Sequence, residues 1–199
     1  MQTIKYLILT AYLFCQLTSA TELQRASDLQ RASDSQRASE WQSDPAQSEL
    51  TYSVSFEQLP INGQFKAFTV DYIAQQQLRV VVDITSVDMG NSDINQAIRD
   101  VDWFDIKSHS QAVFFSDEIK VVSGTEFLAK GKLQLKGISQ PVNVPFSWQP
   151  SADSVSMTGK LTLSRSDFAI GSPEWASGNQ IGIDVDVSFA VKMLQHASK

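Results

Sequence analysis

The stretch from Ile181 to Met193 alternates apolar and polar residues almost without a break. Its apolar side chains recur at every second position: Ile181, Ile183, Val185, Val187, Phe189, Val191 and Met193. Because successive side chains of a β-strand point to opposite faces, this spacing places all of them on one face. Asp184, Asp186 and Lys192 occupy the other face. The chain must therefore contain a long strand with one buried and one solvated face.

The same alternation recurs along most of the chain after residue 50. Strands are predicted at residues 51–57, 64–72, 78–84, 112–115, 118–122, 127–135, 142–149, 154–164 and 181–193, with turns at residues 60–63 and at Gly137. About eight strands with short turns favour an antiparallel sheet closed on itself, because closure removes exposed strand edges. The sequence therefore predicts an all-β fold, an antiparallel eight-stranded barrel with one short helical insertion.

The interior of such a barrel has two options. Eight strands enclose a space just wide enough to be filled by side chains or to hold one slender ligand. A period of two residues shows which face of a strand points inward, but it does not report how much space remains between the facing side chains. A packed interior and a hollow one both stay open on the pattern alone.

One long segment, residues 83–115, interrupts the alternation. Asn91, Ser92 and Asp93 are residue types that cap helix N-termini. The apolar residues that follow fall at helical spacing: Ile94, Ala97, Ile98 and Val101. Trp103 and Phe104 come next, among aspartates. We predict a short helix and an aromatic plug between two strands, and a connection this long is expected to cover or line the barrel interior.

The first 49 residues differ from the rest in composition. Residues 1–20 combine Lys5, an apolar run at 6–14 and small residues before position 21, so we predict a signal peptide that is cleaved after Ala20. Residues 21–49 repeat LQRASD-like hexapeptides. Six residues advance a helix by about 600°, so no apolar stripe forms. We predict a disordered repeat linker at 21–49 and the barrel domain at 50–195.

Charge and residue usage exclude several classes of function. The chain has 16 basic and 22 acidic residues, a formal net charge of -6, so nucleic acid is not an expected partner. Cys15 lies in the predicted signal peptide, and His109 and His196 are the two histidines. Motifs typical of nucleophilic or nucleotide-binding sites are missing from the sequence. We expect no catalytic residues, no metal site and no cofactor.

Two polar groups have structural interpretations that compete with functional ones. The aspartates at 100, 102 and 105 do not have the spacing of a calcium loop, so capping and solvated turns are favoured. Arg165 with Asp167 is interpreted as an ion pair that fixes a strand bend, against a contact with a polar headgroup at the barrel mouth.

Five motifs occur in a characteristic order. They are SVDMG at 86–90, RDVDWFD at 99–105, AVF at 112–114, GKLQLKGI at 131–138 and RSDFAIG at 165–171. In this order they resemble the YceI family of exported bacterial lipocalin-like barrels, which bind polyisoprenoids and similar long apolar chains. The sequence departs from the family at Ala169, where glycine is usual, and at 109–111, where a Tyr-Pro pair is common.

The resemblance implies a periplasmic binding or carrier protein that holds a polyisoprenoid, or another long apolar lipid such as a quinone tail, in a hydrophobic tunnel. Alternatives are an accessory module of a membrane quinone or cytochrome redox system and an enzyme acting on such a lipid. Transient contact with a membrane or a membrane protein fits this role, and a dimer is one option for the oligomeric state. The predicted lining residues are Phe65, Phe68, Trp103, Phe104, Phe114, Phe146 and Phe168.

Overall fold

Antiparallel strands make up most of the chain that the computed structural model describes, residues 39–73, 77–171 and 173–195. The strands are β1 (Ser39–Ser43), β2 (Glu49–Phe56), β3 (Leu59–Phe65), β4 (Phe68–Ile73), β5 (Gln77–Asp83), β6 (Val87–Asp88), β7 (Gln111–Ser123), β8 (Glu126–Leu135), β9 (Ile138–Pro150), β10 (Ser154–Ser164) and β11 (Ile181–Gln195). One α-helix, α1 (Ser92–Ala97), and 3-10 helices at Pro45–Gln47, Ile84–Ser86 and Arg165–Phe168 complete this part of the chain. The predicted signal peptide lies outside it.

These strands occupy the eight positions of a closed barrel because the first six form three interrupted strands. β1 and β2 both run along β11, β1 beside its C-terminal end and β2 beside its N-terminal half. β4 and β3 continue next to them, and β5 and β6 follow in the same way. The pairing of Gln42 with Leu194 lies at the seam between β1 and β11, which closes the ring. The predicted eight-stranded antiparallel barrel with one short helix is confirmed.

The strand β1 corrects the predicted boundary of the linker. Residues 39–49 were assigned to the linker, but Trp41 lies opposite both Tyr72 of β4 and Gln195 of β11 in the sheet. Its indole also packs edge-on against Trp148, with 6.2 Å between ring centroids. The pattern missed this strand because it is five residues long and a 3-10 helix at Pro45–Gln47 separates it from β2. The remainder of the predicted linker, 21–38, lies outside the described residues.

Two local predictions from the alternation were wrong. Residues 60–63 are part of β3, and the turn lies one step earlier, at Glu57 and Gln58, whose φ angles are 48° and 69°. Pro60 is tolerated in β3 because β6 pairs with residues 64 and 65, so the missing N–H of Pro60 has no ladder partner to lose. The segments 112–115 and 118–122 form one strand, β7, with an irregularity between Ser116 and Glu118.

The barrel interior is packed at one end. Ala129, Val155 and Met193 are completely buried there, and they belong to one continuous hydrophobic cluster. Large rings fill the remaining space: Trp41, Tyr72, Phe127, Phe146 and Trp148. Of the two options for the interior, side-chain packing therefore describes this end.

The helix α1 begins where the sequence predicts it. The side-chain oxygen of Asn91 accepts hydrogen bonds from the backbone N–H groups of Asp93 (2.9 Å) and Ile94 (3.1 Å), as an N-cap residue does. The helix is six residues long. None of the helices in the described residues has the length and apolar composition needed to cross a membrane.

The departure at Ala169 generates a stability prediction. Ala169 has φ 52° and ψ 37°, a left-handed conformation that costs a non-glycine residue about 1–2 kcal/mol. Glycine removes this strain but adds roughly 0.4–1 kcal/mol of unfolded-state entropy. We expect Ala169→Gly to raise the free energy of unfolding by about 0.5–1 kcal/mol in urea denaturation.

The matched control is Ala190→Gly, at an exposed position in β11. Glycine within a strand is expected to lower the free energy of unfolding by roughly 0.5–1 kcal/mol. An equal decrease in the free energy of unfolding of Ala169→Gly and Ala190→Gly would contradict the backbone strain assigned to Ala169.

Candidate ligand-binding cavity

The other half of the barrel encloses a cavity of about 520 Å³. Its side wall is formed by inward-facing residues of the strands, mostly aliphatic. They include Val54, Val80, Val82, Leu133, Val142, Val144, Leu161, Leu163, Val185 and Val187. This volume lies within the range of about 300–1,000 Å³ that is typical of small-molecule sites.

The cavity wall is solvent-accessible although it is apolar and faces inward. Val185, Val187 and Phe189 on β11 are half-buried, whereas Met193, on the same face at the packed end, is buried. The difference arises because small side chains at the cavity end leave the interior unfilled. Such a surface is the kind that an apolar ligand would remove from water.

A roof of two segments covers this end of the barrel. The first contains α1 and the residues after it, which place Ile94, Trp103 and Phe104 on the cavity wall. The second follows β10 and contributes Ile170 and Trp175.

The two roof segments contact each other directly. The N–H of Gly171 donates to the carbonyl of Asp102 at 2.6 Å, and the rings of Trp103 and Trp175 pack with their centroids 6.2 Å apart. Phe104 in turn packs edge-on against Phe65 of β3, at 6.1 Å. Contacts of this kind make the roof one packed unit.

Five of the seven predicted lining residues lie on the cavity wall: Phe65, Phe68, Trp103, Phe104 and Phe114. Phe146 faces inward but lies in the packed end, where its ring stacks on Phe127 at 5.4 Å. Phe168 is buried in the 3-10 helix Arg165–Phe168 and is not on the wall. Contact between the five wall residues and a ligand stays a prediction.

Sequence reasoning missed the aliphatic majority of the wall. Val185 and Val187 on β11 contribute to it, as do Val142 and Val144 on β9. The signal was present in the alternation, because these valines share the inward face of strands that were predicted correctly. Selection by aromatic type passed over them.

Arg165 is the one charged residue on the cavity wall in the described chain, and its guanidinium is already occupied. Nε donates to the carbonyl of Gly182 (2.8 Å), and Nη1 donates to Ile170 (2.7 Å). Nη2 donates to the carbonyls of Trp175 and of Ile181, the latter at 2.8 Å. Burial lowers the pKa of this guanidinium. Arg165 therefore joins the second roof segment to the start of β11.

The predicted ion pair between Arg165 and Asp167 is wrong. Asp167 is exposed, and the four hydrogen bonds of Arg165 go to backbone carbonyls. Gly171 explains part of this geometry: a Cβ at that position would lie 2.7 Å from Nη1 of Arg165 and 3.2 Å from the Trp103 ring. Glycine at 171, with φ 75°, lets the guanidinium reach the carbonyls.

Tyr52 supplies a polar atom beside the wall. Its hydroxyl donates to Sδ of Met89 at 2.7 Å, and burial, with a smaller effect of Asp88, raises the pKa of the phenol. The phenol is therefore neutral at physiological pH and directed toward Met89.

The aspartate-rich turn and His109 support the roof from outside the cavity. The carbonyl of Asp105 accepts hydrogen bonds from Ser108 (3.0 Å) and His109 (2.8 Å). Nε2 of His109 lies 3.9 Å from the carboxylate of Asp105, and its ring packs against Gly137. Within the described residues, no group of three acidic, histidine or cysteine side chains is placed to hold a metal. His196 lies outside those residues.

The SVDMG motif attaches α1 to the barrel. Oδ1 of Asp88 accepts from the Gly90 N–H (2.9 Å) and from the Asn95 amide (3.1 Å), and Oδ2 lies 2.6 Å from Nζ of Lys66. The Asn95 side chain also accepts from the Met89 N–H at 2.7 Å. The hydrogen bonds from Lys66, Asn95 and Gly90 hold the pKa of Asp88 well below its usual range. One carboxylate therefore links β6, α1 and Lys66.

The buried Arg165 leads to a prediction about stability. In Arg165→Met, four carbonyls lose their donor, and an unsatisfied buried group costs about 1–3 kcal/mol. We expect the free energy of unfolding to fall by at least about 3 kcal/mol. Arg165→Lys should recover only part of the loss, because a single ammonium does not reproduce the guanidinium fork.

Arg79→Met provides the matched control, since Arg79 is half-exposed and lies 3.8 Å from Asp71. Loss of such a surface pair should change the free energy of unfolding by less than about 1 kcal/mol. A comparable loss in the two variants would contradict the role assigned to the buried guanidinium.

The pKa of Asp88 gives the roof a pH dependence. Because the native pKa lies below the ordinary value of about 3.9, the unfolded state binds more protons as the pH falls. The stabilisation is therefore present above about pH 5 and is lost progressively below pH 4. We expect backbone hydrogen exchange in α1 to quicken across this range, after correction for the intrinsic rate. In Asp88→Asn, the exchange of α1 should already be fast at neutral pH. If exchange in this variant depends on pH as it does in the unmodified protein, the Asp88 carboxylate does not anchor the helix.

A closed antiparallel barrel with a packed end, a roof and an apolar cavity defines the lipocalin-like class of binding barrels. Within that class, residues 41–193 match the YceI-like domain, so the chain belongs to this family. A UPF0312 protein from Vibrio campbellii is 24% identical over 139 residues, which cover 64% of this chain and 72% of that protein.

Solved structures have the same architecture. BcnA from Burkholderia cenocepacia is 29% identical, with a TM-score of 0.72 over 75% of this chain and 98% of BcnA. A polyisoprenoid binding domain from Saccharophagus degradans, implicated in plant cell wall breakdown, is 18% identical, with a TM-score of 0.67 over 79% of this chain and 99% of that domain. At this identity, the second likeness concerns the fold.

Proposed function

We propose that this protein binds a polyisoprenoid, or a lipid with a similar apolar tail, inside the barrel. The observation that supports this most directly is the cavity wall, which is apolar, accessible and enclosed. The charged residue on it, Arg165, directs four of its five N–H donors to backbone carbonyls, so the guanidinium serves to hold the roof. The polyisoprenoid-binding domain with the same fold supports this ligand class.

The size of the cavity is consistent with binding through the tail alone. At roughly the 30 Å³ that a water-sized group occupies in a liquid, 520 Å³ corresponds to on the order of 17 heavy atoms. Burying about 15 methylene-sized groups at about 0.8 kcal/mol each contributes on the order of 12 kcal/mol. Association costs about 4–15 kcal/mol, so an apolar tail of this length offsets most or all of the cost without a polar contact.

The chemistry of the wall supports a binding role in preference to catalysis. General acid–base or nucleophilic chemistry needs a titratable or nucleophilic group that can reach the ligand. Among the described residues, the titratable groups on the wall are Arg165 and Tyr52, and both are already hydrogen-bonded. We therefore propose that the protein carries or stores the ligand and releases it chemically unchanged.

The test is native mass spectrometry of the protein purified from the periplasmic fraction without added lipid, followed by organic extraction. A discrete adduct that extracts as a prenyl lipid is the expected result, and a prenylated quinone would identify the tail as that of a redox carrier. We also propose that the protein resides in the periplasm, as its predicted signal peptide implies. Its absence from the periplasmic fraction would contradict this location. A bare mass, unchanged after incubation with prenyl lipids, would contradict the proposed function.

Cavity-filling substitutions sharpen this test. Val80→Phe with Val187→Phe adds bulk to two half-buried wall positions, so the binding of a prenyl alcohol should weaken at least tenfold. Filling a void is expected to leave the fold intact, which circular dichroism would verify.

The control variant carries the same substitutions at the tip of the β7–β8 hairpin, Val121→Phe with Val122→Phe. These valines are 68% and 65% exposed and are not on the wall. Binding should be unchanged there. Equal weakening in both variants would exclude the cavity as the binding site.

A further inference from the structure

The residues beside the cavity wall carry charges that bear on the headgroup of a ligand. Four wall residues at the roofed end have an exposed carboxylate as their immediate sequence neighbour: Phe56 with Glu57, Ile94 with Asp93, Trp103 with Asp102, and Trp175 with Glu174. Consecutive Cα atoms are about 3.8 Å apart, so each carboxylate lies within a residue of the wall. We call Glu57, Asp93, Asp102 and Glu174 the rim carboxylates.

The rim carboxylates face solvent. All four residues are exposed. None of them forms an ion pair with a lysine or arginine in the described part of the chain. Phe56 and Ile94 are themselves 40% and 38% exposed while lining the cavity, so Glu57 and Asp93 flank places where the cavity meets solvent.

Cations near the same end are already engaged. Arg99, next to the wall residue Ile98, donates to the carbonyl of Thr85 at 3.2 Å. Lys136, next to the wall residue Leu135, donates to the carbonyl of Ala169 at 2.8 Å. The ammonium of Lys66 is paired with Asp88. Hydrogen bonds to carbonyls leave the positive charges of Arg99 and Lys136 in place. Together with Lys107 and Arg165, they offset four of the six carboxylates of the roof and rim, and the rim keeps a net negative charge. The six carboxylates are Glu57, Asp93, Asp100, Asp102, Asp105 and Glu174.

A tail that fills the cavity leaves its headgroup at this rim. The packed end blocks passage through the barrel, and Arg165 inside the cavity has its donors occupied. A phosphate or diphosphate headgroup would lie where carboxylates outnumber cations. An uncharged alcohol or quinone headgroup would meet no such repulsion.

We propose that the rim selects uncharged isoprenoids, such as prenyl alcohols and quinones, against phosphorylated isoprenoids with the same tail. This inference rests on the proposed function, because it concerns the headgroup of a ligand whose tail occupies the cavity. The selection comes from repulsion at the rim, so it weakens as salt shortens the Debye length from about 30 Å at 0.01 M to about 3 Å at 1 M.

The experiment compares farnesol with farnesyl diphosphate, which share a tail, by titration of the full protein at 0.01 M and 0.5 M salt. Farnesol is expected to bind at least tenfold more tightly at low salt, and the ratio should shrink at high salt. Part of any preference for farnesol reflects the cost of dehydrating the diphosphate. Variants of the rim carboxylates change only the repulsion, so they separate the two contributions.

The rim variant is Glu57→Gln, Asp93→Asn and Glu174→Gln. It should reduce the ratio of the affinity for farnesol to the affinity for farnesyl diphosphate at least threefold. The control variant is Asp117→Asn, Glu126→Gln and Asp153→Asn, which removes three exposed carboxylates from β7, the start of β8 and the β9–β10 turn. It changes the net charge by the same amount, and the ratio should stay as in the unmodified protein.

Each other outcome overturns the inference in a distinguishable way. Farnesol binding with equal or tighter diphosphate binding would overturn rim selection while leaving the proposed function intact. An equal change of the ratio in the rim and control variants would assign the effect to net charge instead of the rim. Binding of neither ligand would overturn the inference together with the proposed function.

Discussion

The seam between β1 and β11 is the constraint on which the rest of the barrel depends. Eight strands close into a barrel only if the first strand position pairs with the last. β2 pairs with β11 as far as Ala190, and the five residues of β1 continue the pairing to Gln195. β11 is fifteen residues long and serves β10 on one side and both β2 and β1 on the other. Without the pairing of β11 with both β1 and β2, the inward face of β11 would be an exposed apolar surface and the cavity would have no enclosing wall.

Side-chain size divides the enclosed space into a packed half and a hollow half. The strands are continuous between the halves, as β9 shows: Val142 and Val144 line the cavity, whereas Phe146 and Trp148 fill the packed end. The roof then depends on backbone groups more than on side-chain pairs, because Arg165 collects four carbonyls from segments that are not regular strands. A buried guanidinium with four of its five donors hydrogen-bonded orders these segments.

Sequence patterns predicted the parts of this structure that repeat and missed those that depend on distance across the barrel. Alternation identified β2, β5 and most later strands, and the cap at Asn91 placed α1. β1 is too short to show alternation. The partners of Arg165 are carbonyls, which leave no trace in side-chain patterns, so the ion pair with Asp167 was the wrong expectation. Five of the seven aromatic candidates lie on the wall, but the depth of Phe146 along the barrel is set by its neighbours Phe127 and Trp148.

Because one end of the barrel is packed, the depth of the cavity limits the length of the tail that it can hold. The cluster around Ala129, Val155 and Met193 fixes the floor, and the volume above it holds on the order of 17 heavy atoms. A tail of about that length would be sheltered completely. With a longer tail, the surplus isoprene units would protrude from the protein together with the headgroup. A membrane or an acceptor protein could bind this protruding apolar segment and withdraw the lipid without any opening of the barrel.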